Sequence, residues 1–251
     1  MRGWWREIAG LVLPVACGGC GRPRTELCPS CRAELEGPGP RRVRPRPEPA
    51  GLPAVHAAAP YADAVRSVLL AHKERGALPL AGPLGSALAG AVEAAAGRWD
   101  DRGRGPLLLV PVPSSRRSVR ARGHDPTRRI ALAAAGRLRR RGWAARVVPV
   151  LRQRRSVADQ AELDARGRFA NLAGALEVVA GGERLVESGR VVLVDDLMTT
   201  GASLAEAARA LRAVDPPFIP AWNGEVGESR FLRPVAAVIA CSPSSFDLKR
   251  N

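Results

Sequence analysis

Residues 191–203, VVLVDDLMTTGAS, set two adjacent carboxylates ahead of a small, hydroxyl-rich turn. The turn, Thr199, Thr200, Gly201, Ala202 and Ser203, precedes a stretch with helical spacing. Free amides, hydroxyls and the dipole at a helix start favour a phosphate. Asp195 and Asp196 would repel that phosphate if they shared its contacts. They make sense if they accept hydrogen bonds from hydroxyls on another part of the same ligand. A sugar phosphate carries both groups, and a ribose 5-phosphate places two ring hydroxyls a few bonds from its phosphate. The plainer alternative is a strand that ends at an Asp cap, followed by a Ser-capped helix.

A second constellation is CGGCGRPRTELCPSC, with Cys17, Cys20, Cys28 and Cys31 in two C-x-x-C pairs. Four thiolates at this spacing suit one tetrahedral zinc ion, and they leave no position open for a catalytic water. Gly18, Gly19 and Gly21 permit the tight turns that such a site needs. A disulfide framework is the alternative, but the rest of the chain carries none and reads as cytoplasmic. Cys241, in VAAVIAC, reads as an ordinary buried cysteine.

These residues sit in a chain of 251 residues with a formal net charge of +15. Of 39 lysines and arginines, only Lys73 and Lys249 are lysines. A surface this positive attracts polyanions, nucleic acid being the commonest. No stretch approaches the roughly 20 apolar residues that span a bilayer, so no membrane insertion is expected. The apolar run Ile8–Ala16, ending at Cys17, is interrupted upstream by Arg6 and Glu7 and broken by Pro14, unlike a signal peptide. Three parts follow: a zinc-ribbon-like domain over 1–35, a Pro/Arg-rich linker over 36–54 with no packed element, and a main domain over 55–251.

In the main domain short apolar runs alternate with helical spacing. VHAAAPY, LLLVPVP, RVVPVL, ALEVVA, RVVLV and PVAAVIA read as strands. Residues 63–75, 79–96, 126–141 and 203–214 read as helices. Strands apolar on both faces and separated by helices predict an α/β fold with a mainly parallel, helix-covered sheet. Ligands gather beyond the carboxyl ends of such strands, where the 111–123 loop and the Asp–Asp motif both fall. Residues 215–234 read as a surface loop, with a lid as the alternative. His56, His72 and His124 share no metal or triad spacing. No G-x-S-x-G and no GK[ST] is present, which weakens hydrolase and ATPase readings.

VVLVDDLMTTGAS resembles the phosphoribosyl-pyrophosphate (PRPP) motif of type I phosphoribosyltransferases. With YADAVRSVLLAHKERG (61–76), VPVPSSRRSVRARG (110–123) and ADQAELDARGRFANLAGAL (158–176), the chain is similar to the competence protein F (ComF) family. That resemblance implies a cysteine zinc ribbon followed by a type I phosphoribosyltransferase fold. It implies that Asp195 and Asp196 bind the ribose hydroxyls, as the catalytic pair, and that Thr199 to Ser203 cradle the 5-phosphate. Pro113, Ser114, Ser115 and Arg116 match the pyrophosphate loop. Gln160, Arg166 and Asn171 match a flexible loop that closes over PRPP in glutamine PRPP amidotransferases. The chain departs from the pattern after Gly123, where His124, Asp125, Pro126 and Thr127 replace the usual aromatic, Asn and Gln.

Transfer from PRPP displaces pyrophosphate through an oxocarbenium-like state, and Mg²⁺ bound largely by water and substrate would neutralise the leaving group. The acceptor base is not legible, because the cysteine ribbon and linker stand where type I enzymes carry a variable hood. The other role implied by the resemblance is single-stranded DNA handling beside competence-machinery proteins, with the PRPP site regulatory. The arginine clusters at 115–122, 137–141 and 152–155 are the residues for it. Few aromatics are placed for stacking, so backbone-dominated binding is expected.

Overall fold

The computed structural model describes residues 15–97, 105–154, 172–213 and 234–246. Among them a six-stranded sheet has the order β1-β2-β8-β7-β3-β4. Its strands are β1 (Arg41–Val43), β2 (Val55–Pro60), β3 (Leu107–Pro111), β4 (Ala145–Val147), β7 (Arg190–Met198) and β8 (Val235–Cys241). Every pairing is parallel except β1 with β2. The expected mainly parallel α/β architecture is present.

Alternation along the central strands divides the core into two layers. Leu107 and Leu109 of β3, with Val192 and Val194 of β7, enter one layer. Leu108, Val110, Val191 and Leu193 enter the other. All eight are buried, so each strand is apolar on both faces, as helix cover on both sides demands. The first layer is closed by α1 (Pro29–Glu36), α2 (Asp63–Glu74), α3 (Ala81–Ala96) and α5 (Pro126–Arg140). The second is closed by α7 (Ala202–Arg212), α6 (Gly182–Glu187), α8 (Pro243–Phe246) and a two-stranded sheet of β5 (Leu151–Gln153) with β6 (Leu176–Val178). Glu206 of α7 ties in that small sheet: its carboxylate accepts from Leu176 N–H at 3.0 Å and from Arg209 at 2.8 Å.

Four expectations need correction. The strand expected over RVVPVL is two strands, because the chain leaves the main sheet through Val148–Val150 and Pro149 has no N–H to donate. Residues 36–54 are not free of packed structure: β1 lies there, Val43 is buried, and β1 pairs antiparallel with β2. A Pro/Arg composition does not stop three residues from pairing along an open sheet edge. The 111–123 loop contains a helix, α4 (Arg116–Arg122), with Ser115 as its N-cap. Finally, β7 does not stop before the Asp pair but runs on to Met198, because β8 still offers it partners at Val238, Ala240 and Cys241.

The path of the chain defines one crevice. After β3 it moves outward to β4, whereas after β7 it moves the opposite way to β8. The loops leaving the adjacent strands β3 and β7 therefore diverge, which is where open α/β sheets hold ligands.

α3 and α5 cross closely in the first layer at Gly85 of α3. A Cβ there would stand 2.5 Å from the Ala133 Cβ and 2.9 Å from the Ala133 carbonyl carbon of α5. Gly85→Val is expected to destabilise the protein by about 1–3 kcal/mol through overpacking. Urea unfolding measures it, and an unchanged midpoint would contradict this crossing.

Candidate functional site

Residue 194 is where the crevice opens. Pro111 of β3 pairs with Val194 of β7, and Val112 N–H donates to the Val194 carbonyl at 2.9 Å. From there β3 turns away while β7 continues against β8 alone. Strand alternation directs the Asp196 N–H to the same edge as the Val194 carbonyl, where no strand now pairs. The Asp195 carboxylate takes that N–H instead, at 2.8 Å. The two aspartates thus have different duties. Asp195 completes the open edge, while Asp196, only 5% exposed, accepts from the Lys73 ammonium of α2 at 2.8 Å.

Burial, and next the charge of Asp196, push the Asp195 carboxyl well above the usual carboxylate range, against the pull of Lys73. Burial works to lower the Lys73 pKa, but the charge and hydrogen bond of Asp196 outweigh it and hold it raised. Lys73 lies within the 61–76 segment on which the family resemblance partly rests. Its contact spans 123 residues of sequence, and no local signal could have paired it with Asp196.

Beyond Met198 a turn leads into α7, which starts at Ala202 and is capped by glycine rather than serine. Gly201 has φ +77°, a left-handed conformation that glycine adopts without strain, and it caps α7. Thr200 Oγ1 accepts from Ala202 N–H at 3.4 Å. The first-turn amides of Ser203 and Leu204 have no intrahelical acceptor, as at any helix start. A Cβ on Gly201 would meet Leu52 at 3.1 Å and Pro45 at 3.3 Å, so the expected linker covers one side of the turn. Across the crevice, Pro113, Ser114 and Ser115 follow β3 after Val112. Ser115 Oγ accepts from Ser118 N–H at 3.0 Å, which starts α4 at Arg116. The structure thus sets the 113–115 loop and the 199–203 turn at the carboxyl ends of neighbouring strands. Gln160, Arg166 and Asn171 lie outside the described residues, as do residues 215–233.

The four cysteines form a separate centre. Their sulfurs all lie within 4.8 Å of one another, and no other group of three or more His, Cys, Asp or Glu among the described residues could hold a metal ion. Cys20 and Cys28 sulfurs are 3.7 Å apart, against about 3.8 Å for two ligands of a tetrahedral zinc with Zn–S near 2.3 Å. Cys28 N–H donates to Cys17 Sγ at 3.3 Å. Burial opposes ionisation of Cys17, but the amides of Cys20, Cys28 and Gly19 bring its thiol down to about 6. For Cys31, burial and then the neighbouring sulfurs push the thiol up. A divalent metal would relieve this mutual repulsion, so the donor set fits structural zinc. Gly19 has no room for a side chain, since a Cβ would sit 2.6 Å from Cys31 Sγ. The centre joins the first core layer beside Ala64, Ala71 and Leu80 of the α2 region.

Comparison with protein-family models and with curated proteins returns no match to this chain. No helix among the described residues is long and apolar enough to cross a membrane.

Purified protein is expected to carry one zinc per chain, measured by elemental analysis, and to release it when thiols are titrated with a mercurial. Cys28→Ser should lose the metal and lower the Tm. A metal-free, equally stable wild-type protein would contradict the centre.

Proposed function

We propose that the crevice between β3 and β7 binds PRPP with Mg²⁺, and that the protein is a phosphoribosyltransferase-like member of the ComF family that transfers phosphoribose to a nitrogen nucleophile. The observation that carries this reading is the convergence of an acidic pair, a glycine-capped helix start and a second polar loop on one open strand edge. In this reading the 5-phosphate takes the Thr199–Ser203 turn. The ribose hydroxyls donate to Asp195 and Asp196 along the β7 edge. The pyrophosphate faces the Pro113–Arg116 loop, whose backbone amides would stabilise charge on the leaving group. Magnesium would supply further neutralisation of the pyrophosphate, and with Asp196 already paired to Lys73 it would be held by ligand oxygens and water. A cytoplasmic setting would keep the four thiols reduced for zinc.

Asp195→Asn is expected to weaken PRPP binding by about 1.5–3 kcal/mol, through loss of a charged acceptor. Isothermal titration with PRPP and Mg²⁺ reads it, and a wild-type protein that gives no heat sinks the proposal. The raised pKa of Asp195 sets a direction with pH. Its carboxyl becomes a charged acceptor only as pH rises through that raised value, so PRPP affinity should increase with pH. Affinity that falls as pH rises would refute the assignment.

A second reading, single-stranded DNA handling beside competence proteins, has one observation of its own. Arg117 and Arg120 of α4 and Arg128, Arg129, Arg137 and Arg140 of α5 are exposed and form no ion pair among the described residues. No acidic residue lies between Asp125 and Arg141. Such a face suits a phosphate backbone. Replacing Arg128, Arg129, Arg137 and Arg140 by Gln should weaken binding of an oligodeoxythymidylate and lower its salt slope by about 0.7 per lost phosphate contact. An unchanged slope would exclude this face.

A further inference from the structure

We propose that Lys73 is the positioning residue of the crevice: its ammonium holds one oxygen of Asp196 and leaves the other for the ligand. The ligand rests on the PRPP reading above, whereas the residue is argued from geometry and composition.

The chain draws nearly all of its positive charge from arginine, and Lys249 lies outside the described residues. The one described lysine forms the only ion pair made by either aspartate among the described residues. The two cations differ in how they hold a carboxylate. A guanidinium is a planar fork that can take both oxygens at once, as Arg122 does with Glu74. An ammonium is a point charge with three donors. Lys73 donates to Oδ2 of Asp196 alone, so Oδ1 keeps its capacity to accept from a ribose hydroxyl. The Lys73 side chain is 33% exposed while that of Asp196 is 7% exposed, so the pair lies where the crevice meets the core.

The turn that carries Lys73 is also tied to its surroundings on both sides. His72, beside it, is buried, with Nδ1 3.3 Å from the Ala77 carbonyl and its ring 5.8 Å from that of His124, edge to face. Glu74, on the other side, accepts two bonds from Arg122 at the end of α4, at 2.7 and 2.9 Å. Three consecutive residues thus bind three separate parts of the fold: β7, the end of α4 and the turn after α2. One short turn ties the strand bearing the carboxylates to the helix that leaves the 113–115 loop. Contacts of this kind hold a charged group in place before its ligand arrives.

The test separates holding the fold together from positioning the ligand. Lys73→Arg keeps an ion pair to Asp196 and should keep the Tm of the wild-type protein. Because the fork closes both carboxylate oxygens, it should weaken PRPP–Mg²⁺ binding about tenfold or more. Lys73→Met should lower both Tm and affinity. Lys73→Met combined with Asp196→Asn should bind no more weakly than Asp196→Asn alone, because the two residues act as one unit. A Lys73→Arg protein that binds PRPP like the wild type overturns the proposal.

A second measurement does not depend on PRPP. In protein labelled with ¹⁵N-lysine only two side-chain ammonium signals arise, those of Lys73 and Lys249. The Lys73 signal should move in Asp196→Asn, and in the wild type it should move again when PRPP and Mg²⁺ are added. A signal unmoved by Asp196→Asn overturns the residue. A wild-type protein that binds no PRPP overturns the ligand, and with it the function proposed above.

Discussion

Backbone pairing on one edge of β7 ends at Val194, while the strand itself runs on to Met198. Most of the site follows from that mismatch. A strand edge inside a protein must satisfy its amides, because an orphaned buried N–H costs about as much as a lost hydrogen bond. Here the Asp195 side chain supplies the acceptor that β3 no longer provides. The same departure of β3 opens the space in which its following loop and the turn after β7 face each other. Had β3 continued alongside β7 to its end, there would be no crevice, and two adjacent aspartates in a paired strand would have no purpose.

Two carboxylates on consecutive residues would repel each other unless their surroundings separate their roles. The fold separates them by strand alternation. Asp196 shares its register with Val192 and Val194, toward the layer that contains α2, and finds Lys73 there. Asp195 shares its register with Val191 and Leu193, and turns back on the backbone. One carboxylate is neutralised by a cation, and the other is biased toward its protonated form by burial and its neighbour. A strongly basic chain thereby keeps a local acidic spot without letting arginine saturate it.

The cysteine centre bears on this arrangement at one remove. It packs in the same core layer as α2, against Ala64 and Ala71, within the helix that carries Lys73. What reads as a separate N-terminal ribbon shares its apolar contacts with the main sheet. The 36–54 segment does so too, through β1 at the sheet edge and through Pro45 and Leu52 beside Gly201. Composition concealed both contacts. Proline and arginine mark a segment as solvated on average, but sheet edges and helix starts accept a few such residues wherever neighbouring backbone groups need cover.

Periodicity was enough to place the strands, because a strand buried on both faces must be apolar at consecutive positions, as in LLLV and VVLV. Residue type and spacing were likewise enough for the four thiols and for the glycine turn, since few conformations satisfy those groups. The end of β7, the split of RVVPVL into β4 and β5, and the helix at Arg116 were not legible. Each depends on which neighbour continues to offer hydrogen bonds, and that neighbour is far away in sequence. The sequence by itself determined an alternating α/β chain, a four-cysteine centre and an acidic pair before a glycine turn at a helix start. Only the tertiary structure decided that β3 abandons β7 at Val194 and that Lys73 meets Asp196, because long-range pairing and charge contacts arise from the packing of the whole sheet.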